Sequence, residues 1–253
     1  MTFFALALIL YTSSAQAQND LVSATRPLEV DYQEMLKSVS LATLDINRKS
    51  ALKSAQRFPQ AKLPKATAWR KDQLLPRFQK MRDVRFLKDK VTLSPRRASW
   101  LYPDDGCFAR ASLANRNLFR WYHPVPSKVF AFGNLRVKTK NSPRGIVGWW
   151  YHVAPIVEAA GEKYVLDPAI EPLKPLLLLE WLQRMGKPEK MKVAICASGT
   201  YTPGDNCAKE TDGLELSAEK TQRHYLKLEE IRLKTLRRPV ALELGDRPPW
   251  PVQ

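Results

Sequence analysis

An α+β fold is predicted by three features of the 253-residue sequence. A helix-prone segment opens at Cys107, directly after the turn Asp104-Asp105-Gly106. Two runs rich in β-branched and aromatic residues follow, the second containing His152, and a third, shorter run ends at Asp167. Strands joined by short turns read as antiparallel, so a cysteine at a helix N-terminus precedes a histidine and an aspartate carried on an antiparallel sheet.

Residues 1–17 read as an export signal. Phe3 to Tyr11 is almost wholly apolar and Ala15-Gln16-Ala17 offers small residues for cleavage, although no Lys or Arg precedes the apolar stretch. Residues 18–64 read as a separable N-terminal segment, either a helical cap or a pro-region. Tyr32, Leu36, Val39 and Ala42 or Thr43 recur at three- and four-residue spacing, and Ala51, Lys53, Ala55 and Gln56 favour helix. Pro59 and Pro64 mark its end, and residues 65–253 form the main domain.

Within that domain a helix is expected over Ala66 to Met81, with Trp69, Leu74, Leu75 and Phe78 as its apolar set and Pro76 as an interruption. Basic residues crowd between Arg82 and Arg97. With no zinc-finger spacing or repeated aromatic platform beside them, they read as a solvated face rather than a nucleic-acid surface. Ala109, Ala111, Leu113, Ala114 and Leu118 support a helix from Cys107 to about Arg120. Strands are expected at Val129 to Val137, with Gly133-Asn134 in the middle, at Val147 to Val157, and at Lys163 to Leu166 after a turn at Ala160-Gly161. A helix near Leu176 to Met185 leads into a cysteine-bearing loop. A further helix spans Ala218 to about Leu236, or splits into helix and terminal strand around His224 to Leu233. Pro248-Pro249-Trp250-Pro251 closes the chain as a stiff extended tail.

Hydrophobic residues at 44% supply a core, and charged residues at 26% are too few for general disorder. After the export signal no stretch approaches the roughly 18 apolar residues that span a bilayer. Leu173 to Leu182 is short and contains Lys174, Pro175 and Glu180. No glycine-rich phosphate loop or dinucleotide fingerprint is present. The net charge of +16, from 41 Lys and Arg against 25 Asp and Glu, favours anionic surfaces without choosing among nucleic acid, acidic protein and membrane. No specific nucleic-acid partner is indicated.

The three cysteines are Cys107, Cys196 and Cys207. In an oxidising compartment they read as one bridge and one free thiol. Cys196 and Cys207 are close in sequence, with turn residues Gly199, Pro203, Gly204 and Asn206 between them, which leaves Cys107 unpaired. A buried inert thiol is the bland reading of Cys107; its position at a helix start points to a nucleophile. The helix N-terminus favours the thiolate, and its backbone N–H groups can hold an oxyanion. Of three histidines, His123 lies at a loop exit and His224 in a charged amphipathic stretch. His152 sits inside Trp149-Trp150-Tyr151-His152-Val153-Ala154, as either a satisfied core residue or a base. Strand alternation places Trp150, His152 and Ala154 on one face and Trp149, Tyr151 and Val153 on the other. Asp167, before Pro168, terminates its strand and is either a turn residue or the group that orients the imidazole.

The run Tyr102-Pro103-Asp104-Asp105-Gly106-Cys107-Phe108-Ala109-Arg110-Ala111 resembles the nucleophile motif of bacterial protein-glutaminases. Phe132-Gly133-Asn134-Leu135, Tyr151-His152-Val153-Ala154 and Leu166-Asp167-Pro168 follow in the family's order, over roughly Lys71 to Leu236. The loop with Cys196 and Cys207 also resembles a cysteine-bearing region of that family. The resemblance implies a papain- and transglutaminase-like core, secretion, and deamidation of glutamine side chains in proteins and peptides. It implies Cys107 as nucleophile, His152 as base and Asp167 as orienting group, with no metal or organic cofactor. It also implies an N-terminal pro-region, for which residues 18–64 are short. Ser112 stands where the family often has histidine, and the family has more cysteines. Trp150, by strand parity, and Asn134, after Gly133, are the candidate substrate-binding residues. Transglutaminases and papain-like peptidases share this early chemistry, and a non-catalytic basic protein binding the cell envelope is the reading from charge alone.

Overall fold

The structure is a computed structural model and describes residues 56–57, 65–88, 94–203, 205, 207–210 and 215–250. The expected export signal and nearly all of the segment 18–64 lie outside the described residues. Its one described piece is β1, Gln56–Arg57, where helix was expected. β1 pairs antiparallel with a sheet edge, Gln56 opposite Val193 and Arg57 opposite Lys192, so pairing overrides local helix propensity.

The main sheet is built on two long strands, β5 (Ser127–Lys138) and β6 (Ile146–Ala159). Both are rich in β-branched and aromatic residues and are buried along most of their length. The order along the sheet is β1-β9-β5-β6-β7-β8, with β2 (Thr67–Ala68) pairing parallel to β6. β7 is Glu162–Val165, β8 is Leu176–Leu177 and β9 is Lys192–Cys196. The β6–β7 hairpin turns on Ala160 and Gly161, both at positive φ, the two-residue geometry that follows sheet twist. A separate small hairpin pairs β3 (Leu87–Lys88) with β4 (Pro95–Arg96).

Strand β9 was not expected; its alternation was masked by the neighbouring cysteine loop. Val193 and Ile195 enter one core with Val129, Ala131, Trp149 and Ile156, while Ala194 and Cys196 enter another with Phe130, Phe132 and Cys107. Helix α3 (Leu178–Met185) buries Leu178, Trp181, Leu182 and Met185 in the first of these cores. Helix α2 (Cys107–Arg120) buries Cys107 and Ala111 in the second, and Ala109 and Leu113 against α4 (Glu215–Thr235). α4 runs unbroken, so the split reading of this region is corrected.

Helix α1 (Lys71–Asp83) starts later than expected because Thr67 and Ala68 join the sheet. Pro76 is accommodated inside it, and Leu74, Phe78 and Met81 form its buried stripe. The basic run is not simply a solvated face. Arg82, Arg96 and Arg97 are buried, donating to Asp83 and the Pro172 carbonyl, to Glu229, and to the Gly245 and Asp246 carbonyls respectively. The terminal segment forms a short helix α5 (Val240–Leu244) and then docks. Trp250 is buried and its Nε1 donates to Asp83. No helix of the described residues is long and apolar enough to cross a membrane.

Candidate active site

Gly106 precedes α2 in the left-handed region, at φ +78°, where an L side chain is strained. A Cβ there would also meet the Tyr225 ring at 2.6 Å. The turn that presents Cys107 is tied from within α2 by Arg110, whose Nη1 donates to the carbonyls of Tyr102 at 3.0 Å and Asp105 at 2.7 Å. It is held from outside by one face of α4. Gln222 accepts from Ser99, Glu229 accepts from the Leu101 N–H at 2.8 Å, and Arg232 donates to Asp104 at 2.7 Å. Residues three, four, seven and ten positions apart share a helix face, which is why Gln222, Tyr225, Glu229 and Arg232 converge here.

Cys107 is a buried thiol outside the disulfide. Cys196 and Cys207 form the disulfide. His152 lies on β6 opposite Ala131, and its Nε2 is 2.8 Å from Oδ2 of Asp167, which ends the chain segment leaving β7. Cys107 acts electrostatically on the His152 imidazole, and His152 Nδ1 has no hydrogen-bond partner among the described residues. Asp167 Oδ2 also accepts from Trp181 Nε1 at 2.9 Å, and Oδ1 accepts from the Ala169 N–H at 3.2 Å. The three groups are thus contiguous, with Asp167 6%, Cys107 3% and His152 1% exposed.

Burial disfavours the charged form of His152. The charge and hydrogen bond of Asp167, with the electrostatic effect of Cys107, outweigh it and raise the imidazole pKa to about 9. Burial would likewise raise Asp167. The charge and hydrogen bond of His152, the Trp181 N–H and the charge of Arg110 instead hold it below the usual carboxylate range. The arrangement therefore favours the protonated imidazole beside the Asp167 carboxylate. It can deliver a proton to a leaving group and recover one from water.

The tryptophans depart from simple alternation. Trp149 stacks on His152, centroids 4.4 Å apart and planes at 15°, and Trp181 lies 5.7 Å away on the same imidazole. Trp150 instead contacts Phe132 and Tyr151 and packs, half-buried, against the cluster holding Cys107. The cause is a register shift between Phe132 and Leu135, where β5 spends one more residue than β6. A bulge of this kind changes which face the neighbouring side chains take. Asn134 lies in the bulge, exposed, and its Oδ1 accepts from Arg136 at 3.3 Å. Trp181 and the α4 residues were not identified as site neighbours from sequence, because their partners are distant in the chain. Among the described residues no group of three or more His, Cys, Asp and Glu could hold a metal ion.

Residues 75–185 match a protein-family model described as Glutaminase. A crystal structure of protein-glutaminase is similar with a TM-score of 0.47 and 20% identity, over 63% of this chain and 90% of that one. The NMR structure of protein-glutaminase from Chryseobacterium proteolyticum has a TM-score of 0.44 and 20% identity, over 74% of this chain and 95% of that one. For a crystal structure of pro-protein-glutaminase the TM-score is 0.44 and the identity 21%, and the match spans 59% of this chain and 55% of that one. No curated protein matches the sequence.

Proposed function

We propose that this chain, whose residues 75–185 match a family model described as Glutaminase, is a secreted protein-glutamine glutaminase with a papain- and transglutaminase-like core. It hydrolyses the side-chain amide of glutamine in proteins or peptides, giving glutamate and ammonia. Cys107 is the nucleophile, His152 the acid and base, and Asp167 the group that orients His152. The observation that carries this reading is the buried His152–Asp167 hydrogen bond at 2.8 Å, beside the thiol of Cys107 that acts on the imidazole charge.

The Cys107 thiolate attacks the δ-carboxamide carbon, and the oxyanion forms beside the N–H groups at the start of α2. The His152 imidazolium gives its proton to the amide nitrogen, the C–N bond breaks, and ammonia leaves a thioester. Neutral His152 then takes a proton from water as its oxygen attacks the thioester carbon. The C–S bond breaks, releasing glutamate and restoring thiolate and imidazolium. Trp150, which packs against the cluster holding Cys107, would contact the substrate. Asn134 would contact it from the exposed bulge.

Residues 18–64 are read as a removable pro-region, and residues 1–17 as the export signal. Supporting the first are the pairing of β1 with the edge of β9 and the burial of all three reacting groups. The test is ammonia release from a glutamine-rich protein, before and after limited proteolysis near residues 60–70, with intact substrate mass measured alongside. Ammonia with a mass rise of about 1 Da per event, abolished in Cys107→Ala, is expected, and at a higher rate after cleavage. New chain termini instead would mean peptidase activity. Ammonia produced only with amine incorporation would mean acyl transfer to amines.

A further inference from the structure

We propose that Trp149 is a positioning residue for His152, and that the buried Asp104–Arg232 pair sets where Trp149 stands; this rests on the roles given above to Cys107, His152 and Asp167. The indole lies nearly parallel to the imidazole, 4.4 Å between centroids, and both side chains are buried. Its Nε1 donates to the Asp104 carbonyl at 3.0 Å. Asp104 is in turn anchored through Oδ2 by Arg232 Nη1 at 2.7 Å, and the same nitrogen donates to the Asn141 carbonyl at 2.8 Å. The guanidinium also lies over the Tyr102 ring, 4.9 Å from its centroid.

Asp104 stands three residues before Cys107. One short segment therefore carries the nucleophile and also fixes the indole against which the base rests. A displacement at Asp104 would move both partners and change the separation between sulfur and imidazole. Trp181 is also tilted against His152, 5.7 Å between centroids, while its Nε1 holds Asp167. With two indoles in contact with it, the imidazole cannot leave its plane without losing a ring contact. The ring faces also favour the imidazolium over the neutral form. The titratable groups around the imidazole are Asp167, after β7, and Cys107, from α2, while Arg110 on α2 acts on Asp167. Trp149 has no role in holding substrate here, so its loss acts on turnover rather than on binding.

The experiment uses the full chain with Trp149→Phe, Trp149→Leu, Arg232→Lys and Cys107→Ala. It measures kcat and KM for ammonia release, and the pH profile of Cys107 alkylation by iodoacetamide, per mole of natively folded protein. Trp149→Phe keeps a ring on the imidazole but loses the tie to Asp104; kcat falls several-fold with KM unchanged. Trp149→Leu loses both, kcat falls by about tenfold or more, and the alkylation midpoint moves to higher pH. Arg232→Lys falls between wild type and Trp149→Leu. Wild-type kcat and alkylation profile in folded Trp149→Phe would overturn the proposal even if Trp149→Leu does not fold. Ammonia release that survives Cys107→Ala would overturn the assigned function instead, and the substrate-free alkylation profile would still decide the role of Trp149.

Discussion

Complete burial removes water from around His152 and favours its neutral form, yet Asp167 and Cys107 raise its pKa to about 9. Ammonia release is therefore expected to lose its alkaline limb near that pH, as the proton needed by the leaving nitrogen is lost. Asp167→Asn removes the charge that holds the limb so high. The limb should move to lower pH and kcat should fall by about a hundredfold or more, measured as the pH dependence of kcat. An unchanged limb in that variant would mean that Asp167 does not set the His152 proton. Linkage gives the matching stability curve. A raised histidine contributes stability that is whole below its unfolded value of about 6.5 and is lost as pH rises through its folded value. A depressed Asp167 contributes stability present above its unfolded value of about 3.9 and lost as pH falls through its folded value. The pair thus stabilises the fold most between these two regions.

Among the elements, the turn before α2 depends on a residue without a side chain. Gly106→Ala must place a Cβ at φ +78° and 2.6 Å from the Tyr225 ring, which is itself stacked on Tyr102. The backbone term alone is about 1–2 kcal/mol, and displacing a packed ring brings the expected loss to about 2–4 kcal/mol. Urea denaturation of the Cys107→Ala background reads this without interference from thiol chemistry, and an unchanged midpoint would show that the turn relaxes freely. This turn, the helix after it and the long strands were legible in sequence because each is a local pattern. The glycine before Cys107, the alanines of α2 and the aromatic runs of β5 and β6 announce themselves within a few residues. The partners were not legible. Trp181 reaches Asp167 across 14 positions and Arg232 reaches Asp104 across 128, and no local pattern encodes such meetings. The face of Trp149 was misread for a related reason: a one-residue bulge on β5 resets alternation on β6, and Gly133-Asn134 was its only sign.

For the whole molecule, the excess of 41 Lys and Arg over 25 Asp and Glu is too large to be absorbed by the interior. Buried pairs such as Arg96–Glu229 and Arg232–Asp104 cancel, while Arg97 and Arg110 are buried on backbone carbonyls and carry a small part of the surplus inside. Most of the surplus lies outside these buried groups, and the field of charges at a protein surface reaches about 8 Å at physiological salt and much further at low salt. A positive field concentrates anionic substrates near the surface before any specific contact forms, and salt removes the advantage. It does not enter the buried chemistry around His152, where screening ions have no access. Glutamine peptides flanked by Asp and Glu should therefore show a KM that rises several-fold between about 0.05 and 0.5 M salt, with kcat nearly constant. A neutral peptide of the same length should hold its KM over that range. If the two peptides respond alike, the charge does not steer substrate; if kcat falls with salt for both, screening has reached the site, and the view of a sealed Cys107–His152–Asp167 group must be given up.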